Sequence, residues 1–576
     1  MTIDQKLGCA DPGRREFVHG LTAGGVLALA GQWPQRSFGQ TNSPREIRSR
    51  EPNLEIGQTI VNFTGRARTA TTINGGVPGP TLRWRQGDDV TIRVANRLSQ
   101  PTSIHWHGLI LPWQMDGVPG LSFDGIAPGS SFTYRFPLRQ AGTYWYHSHT
   151  GFQEQLGHYG ALIIDPLEPE PHAYDREYIV MLSDWTDEDP MRVFARLKKA
   201  SHYYNYQRRT ISDVRAEIRE RGLTQYRQDR RMWARMRMSD RDLSDVTGFA
   251  YTYLMNGQTP ASNWTALFNR GERVRLRFIN SSAMTLFDVR IPGLEMTVIA
   301  ADGQNIDPVT IDEFRIGVAE TYDVLVSPMH DVAYSIFAQA IDRSGYAAGT
   351  LTPDISLAAE IPELDRLQPL TMADMGMAPM DMGGMSHAEM GHAQMDHAQM
   401  GHMQPHDMSS ADELPSNPGI DMRAMNPQTR FGDPGPGLRD RPWRVLTYEQ
   451  LGRPQARPDP DRELTLRLTG SMSRYMWSFD GTRFSDADPI ELGLGENVCI
   501  TLINDTMMNH PIHLHGLWSD LETNAAGDIV RKHTIVVQPG QQAHYRVAAD
   551  AVGPWAYHCH LLYHMEAGMF RVVRVS

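Results

Sequence analysis

Cysteine is nearly absent from this chain: 576 residues carry only Cys9, Cys499 and Cys559. So few thiols exclude a disulfide framework. Cys9 lies in a segment expected to be removed, and Cys499, within ENVCITLIN, reads as a small buried residue on a strand. That leaves Cys559 for chemistry. Long apolar runs are also missing. The one modest run near the N-terminus, GLTAGGVLALAG, is too short and glycine-rich for a comfortable membrane span, so no stable membrane anchor is expected. No basic stretch is interleaved with aromatic residues, and the net charge is −12, which argues against nucleic acid as a partner.

The length allows roughly three or four domains of ~150 residues each. Ahead of the modest apolar run stands GRREFV, and Arg14, Arg15 and Phe17 in that setting point to a twin-arginine export signal. The expectation is a bacterial periplasmic protein whose leader, residues 1–42, is cut near 36–42. Runs such as TLRWRQGDDVTIRVANRL and GTYWYHSH, separated by Gly, Pro and Asn turns, predict a β-sandwich over 50–167. A second β region is expected over 175–358, interrupted by a charged helical insertion at about 194–246. Residues 440–576 return to strands. Between the last two, 365–430 is biased: from Ser386 the near-repeat SHAEM, GHAQM, DHAQM, GHMQP is too polar and glycine-rich to build a core and reads as a largely disordered linker.

What the chain does have is paired histidine. HWHG, HSHT, HPIHLHG and HCHLLYH each contain an H-x-H, and on a strand such a pair projects two imidazoles from one face about 7 Å apart. One pair alone would be ordinary packing; four in strand and turn contexts point to a metal cluster. The i, i+2 pairs account for His105, His107, His147, His149, His513, His515, His558 and His560. Left over are His510, His564, Cys559 and Met569, two imidazoles, a thiolate and a thioether, the donor set of a blue-copper electron-transfer site. Zinc accepts similar donors but has no redox use for eight further histidines. In HCH, alternation sends Cys559 to one face and its histidine neighbours to the other, so the cysteine reads as a covalent wire between two copper centres.

These four motifs, in their order and their division between N- and C-terminal β regions, resemble the multicopper oxidases. The twin-arginine leader, YYNYQRRT, DRRMWARMRM, YTYLMNGQTPASNW and the Met/His segment are similar, more narrowly, to the bacterial copper-resistance protein A family. The resemblance implies a mostly β fold of three cupredoxin-like Greek-key domains, with copper as cofactor: one type 1 ion, one type 2 ion and a type 3 pair. It assigns His510, Cys559, His564 and Met569 to type 1, and His105 and His513 to type 2. His107, His147, His149, His515, His558 and His560 go to the type 3 pair. It implies dioxygen as electron acceptor and a carboxylate that delivers protons, for which Asp116 in MDGVPG and Glu566 after the last type 1 histidine are the candidates.

The electron donor stays open among oxidation of Cu(I), a laccase-like oxidation of phenols or Mn(II), and a non-enzymatic copper buffer. Thioethers select Cu(I), and eleven methionines lie between Met372 and Met408, which favours monovalent copper. Met472, Met476 and Asp486, in SMSRYMWSFDGTRFSDADP, are candidate substrate-side ligands. Periplasmic copper-handling proteins are the expected macromolecular partners.

Overall fold

Alternation of the kind seen in Asp89–Asn96, where Val90, Ile92, Val94 and Asn96 are buried and the residues between them are not, produces three stacked pairs of sheets. The computed structural model describes residues 45–377, 417–455 and 458–576. The expected leader and the His/Met repeat lie outside the described residues.

The N-terminal pair is a four-stranded sheet containing Asn53–Val61 and Asp89–Asn96 and a five-stranded sheet containing His105–His107 and Gly142–His147. The middle and C-terminal pairs each combine a six-stranded with a five-stranded sheet. One pairing order recurs in both six-stranded sheets. Arg176–Thr186 runs parallel to Val274–Asn280, and Arg462–Ser471 runs parallel to Asn497–Asn504. The fold is therefore mostly β and built of cupredoxin-like units. Cys499, expected in the interior, falls on the outward alternation of Asn497–Asn504 and is only partly buried.

Helices α1 (Pro190–Lys199), α2 (Ile211–Arg221) and α3 (Leu223–Met236) interrupt the middle unit between the strands Arg176–Thr186 and Tyr251–Met255. Asp189 caps α1 by accepting from the Met191 N–H, and Thr210 with Asp213 forms a capping box on α2. The insertion is more than a solvated excursion. Val193, Leu197, Trp233 and Met236 are buried in the shared core. Lys198 Nζ donates to Tyr475 O, which ties α1 to the C-terminal unit.

The described edges of the expected linker are packed as well. Met375 is fully buried, and Asp374 beside it pairs with Arg439 at 2.8 Å. For that methionine, core packing is the role after all. Among the described residues no helix is long and apolar enough to cross a membrane.

Candidate metal centres

Strand register assembles the histidines. His105–His107 lies antiparallel to Gly142–His147, with His105 opposite His147 and His107 opposite Trp145. Trp106, between the two histidines, turns into the core against Tyr134 and Phe136, so both imidazoles face the other way. In the C-terminal unit His510–Leu514 pairs with Gly553–Cys559, placing His513 opposite His558 and Ile512 opposite Cys559. Short α4 (Leu562–Glu566) follows and brings His564 back beside Cys559.

Two groups result. In the first, the His107 and His513 rings stack with centroids 3.9 Å apart, and His558 Nε2 lies 3.0 Å from His515 Nε2 and 3.3 Å from His149 Nε2. His147 and His560 close it, their rings 5.0 Å apart. With His105, whose ring centroid lies 4.0 Å from that of His515, all eight paired histidines meet between the first and third units. In the second, His510 Nδ1 and His564 Nδ1 lie 3.5 and 3.8 Å from Cys559 Sγ and 3.3 Å from each other. Met569 is fully buried beside them, its N–H donating to His564 O and its carbonyl accepting from Cys559 N.

The outer nitrogen of most of these rings is already bound. His105 Nδ1 lies 2.7 Å from Asp116 O, His515 Nδ1 donates to Asp116 Oδ2 at 2.8 Å, and His513 Nδ1 lies 2.5 Å from His533 O. His147 Nδ1 lies 2.6 Å from Glu154 Oε2. His564 Nε2 donates to Asp245 Oδ2 at 2.7 Å, and His510 Nε2 to Thr506 Oγ1 at 2.7 Å. Each contact fixes a tautomer and aims the opposite nitrogen inward. Those inward atoms, His105 Nε2, His107 Nδ1, His147 Nε2 and His513 Nε2, are buried without a protein partner, as are both nitrogens of His560. A buried polar atom left unpaired costs about 1–3 kcal/mol, so a wholly unliganded cluster would be a heavy burden. Imidazole-lined metal positions and a separate thiolate–imidazole position are the arrangement copper requires.

The electrostatics agree. Burial, reinforced by neighbouring imidazoles, lowers His107, His147, His149, His513, His515 and His560 well below the ordinary histidine range, and His558 to about 4. They are neutral at physiological pH and competent as ligands. Burial pushes the Cys559 thiol well up, a position that favours thiolate only with a cation beside it.

Asp116 is buried and touches one histidine from each unit. Glu566 lies elsewhere: it faces solvent at the end of α4, near Lys198, and is not a carboxylate of the first histidine group. Besides Asp116, the other carboxylate against that group is Glu154 on His147, which the sequence reading missed. Its second oxygen is buried without a partner, and it shares a small cavity with His147, His149, His558 and His560. Asp245 and His533 were also missed. The candidate substrate ligands are engaged separately. Met472 is buried and its N–H donates to Asp421 Oδ2, Met476 packs against Gly419, and Asp486 pairs with Arg483 on the surface.

Multicopper oxidase family models match residues 55–169, 176–354 and 457–576. The chain is 56% identical to a copper resistance protein A homolog of Pseudomonas syringae pv. tomato, the match covering 98% of this chain and 99% of that one. It is 53% identical to copper resistance protein A of Escherichia coli over the same shares. The chain belongs to the multicopper oxidase family. It is an oxidoreductase that uses dioxygen as acceptor and carries type 1, type 2 and type 3 copper. Among solved structures, Fet3p superposes with a TM-score of 0.61 at 20% identity, covering 91% of this chain and 90% of that one. The laccase from Botrytis aclada also gives 0.61, at 21% identity, covering 94% and 91%. At such identities the likeness bears on the fold alone.

Proposed function

We propose that this multicopper oxidase oxidises Cu(I) to Cu(II), coupled to the four-electron reduction of dioxygen to water, and serves copper resistance in the bacterial periplasm after twin-arginine export. His510, Cys559, His564 and Met569 would hold type 1 copper, His105 and His513 type 2, and His107, His147, His149, His515, His558 and His560 the type 3 pair. Copper held by these residues would supply the redox chemistry, one-electron oxidation of the donor coupled to reduction of dioxygen.

The chain's own residues do the rest. Cys559 joins the two groups covalently through His558 and His560. Asp116 holds His105 and His515, and these contacts support it as the carboxylate that hands protons to reduced oxygen. Asp245 takes the outer nitrogen of His564 and also accepts from Tyr475 OH at 2.8 Å, so the donor's side of the type 1 group is a buried hydrogen-bonded carboxylate.

The methionine-rich segment carries the preference for a metal-ion donor, because its thioethers are soft ligands that select Cu(I). His564 is fully buried, stacked under Trp477 with centroids 4.0 Å apart, and its edge is covered by Asp245, where a phenol cannot touch it. Asp245 is itself fully buried, so neither a phenol nor a cation reaches His564 directly. The names of the copper resistance relatives agree. Oxygen uptake by the copper-loaded protein, with Cu(I) and with a phenol at matched concentration, tests the reading. Faster uptake with the phenol would favour a laccase-like oxidase, and no uptake with either donor would leave only a copper buffer.

A further inference from the structure

One ring of the histidine cluster is held differently from the rest. The other fixed rings have an outer nitrogen against a carbonyl, carboxylate or hydroxyl oxygen, whereas His107 Nε2 lies 3.1 Å from another imidazole, His533 Nδ1, and 3.2 Å from Thr534 Oγ1. His107 Nδ1, the atom left facing inward, is buried without a partner. His107 thus presents the opposite nitrogen from His105, His147 and His513, and the segment 532–534 determines that it does so.

That segment is anchored from the middle unit, which supplies no histidine to the cluster. Asp302 Oδ2 accepts from the His533 and Thr534 backbone N–H groups, both at 3.2 Å, and forms an ion pair with Lys532 Nζ at 3.0 Å. Lys532 is fully buried and reaches Glu320 Oε1 at 2.9 Å, while Tyr448 OH donates to that same oxygen at 2.5 Å. Burial alone would lower the Lys532 ammonium, but Asp302 and Glu320 more than offset it and hold it charged. A buried ammonium between two carboxylates is costly to disturb, because removing one partner strands the others. The motif HWHG is shaped to the same contact. Gly108 follows His107 at φ +81°, and a Cβ there would fall 2.5 Å from His533 Cδ2.

We infer that Asp302 and His533 are positioning residues of the oxidase: Asp302 fixes the 532–534 backbone, and His533 with Thr534 locks His107 in the orientation that offers Nδ1 to one copper of the type 3 pair. The inference rests on His107 being a type 3 ligand. Second-layer contacts of this kind govern metal affinity by roughly 10–100-fold.

The test uses the full-length, copper-loaded protein and the variants D302A, H533A and H107A. The readouts are the blue absorption of the type 1 site, the near-ultraviolet band of the type 3 pair, paramagnetic resonance, and copper titration of the depleted protein. Expected in D302A and H533A is an unchanged blue band, a weakened type 3 band with uncoupled copper signal, and copper binding at that pair weaker by roughly 10–100-fold. A wild-type type 3 band and titration in both variants would overturn the inference while leaving the ligand assignment standing. If D302A loses the blue band through misfolding, H533A decides alone, since it leaves Lys532, Asp302 and Glu320 intact. An undiminished type 3 band in H107A would overturn the ligand assignment and this inference with it.

Discussion

The first and third β units carry every histidine of the copper groups, and the middle unit carries none. Yet the middle stretch reaches both groups through single carboxylates: Asp245 on His564, and Asp302 on the backbone that holds His107. The outer units determine which atoms can bind metal, and the middle one determines how those atoms are aimed. A ligand-free unit in such an enzyme is therefore better regarded as a second layer of the site than as a spacer.

The harshest break on the ligand side is C559S. A hydroxyl replaces the only thiol in either group, so the intense blue absorption and the oxidase turnover should both vanish. The fold should persist, because a single atom is exchanged in a site enclosed by strand pairing. Absorption, oxygen uptake and circular dichroism together check this, and a variant that stayed blue would remove Cys559 from the type 1 site.

The matching break on the middle unit's side is D245N. All ligand atoms remain, so the blue colour should stay. An amide is a weaker acceptor for the His564 Nε2–H, however, and turnover should fall by roughly 10–100-fold. Turnover with hexacyanoferrate(II) and with Cu(I) separates two roles. Equal losses point to tuning of His564 itself, a larger loss with Cu(I) to a place in cation approach. Wild-type rates with both donors would reduce Asp245 to scaffold.

This difference between the units also explains what the sequence could reveal. Histidine pairs at i, i+2 with a strand period are local signals, and so is the alternation of Asp89–Asn96, which is why the β fold and the two copper groups were legible. Asp245 lies 319 positions from His564, and nothing local marks it. His533, in RKHTIVV, is a lone histidine at the bend between the strands Ile529–Lys532 and Thr534–Val537, the least informative pattern of all. Glu154 left a faint trace as an acidic residue a few positions after HSHT, but its contact with His147 depends on a turn. Glu566 stands one place beyond the position directly after His564, which Met565 occupies, and the helical geometry of α4 turns it to solvent.

A milder test concerns the methionine-rich segment, which lies in sequence between the second and third β regions. Replacing 378–416 by a short Gly/Ser linker spares Asp374 and Met375, which are packed. If its thioethers gather Cu(I), they raise local substrate concentration, an effect that matters most when copper is scarce. Cu(I) oxidation should then drop several-fold at low buffered copper and recover at high copper. Phenol oxidation and the blue colour should stay level. Equal Cu(I) kinetics across the whole range would end the recruitment role.

The smallest expected effect sharpens the comparison from the side of stability, because placing acids around the type 1 group burdens the middle unit. Burial, then the neighbouring Asp245, raises the Asp242 carboxyl to about 8, and Asn205 Nδ2 donates to it at 2.8 Å. In the unfolded chain the same group titrates near ~3.9. Between about pH 4 and pH 8 the native protein therefore holds a proton that the unfolded chain has released. The native state binds more protons there, so its stability falls as pH rises through that window. D242N keeps an oxygen for Asn205 and has no proton to lose. Its melting temperature relative to the parent should accordingly be more favourable at pH 8 than at pH 5, by a few degrees at most. Differential scanning calorimetry of both proteins at the two values, each copper-loaded, measures the gap. A gap that is constant or narrows toward pH 8 would mean that Asp242 is ionised in the native protein, and the buried acids beside the type 1 group would then have to be charge-balanced by a cation.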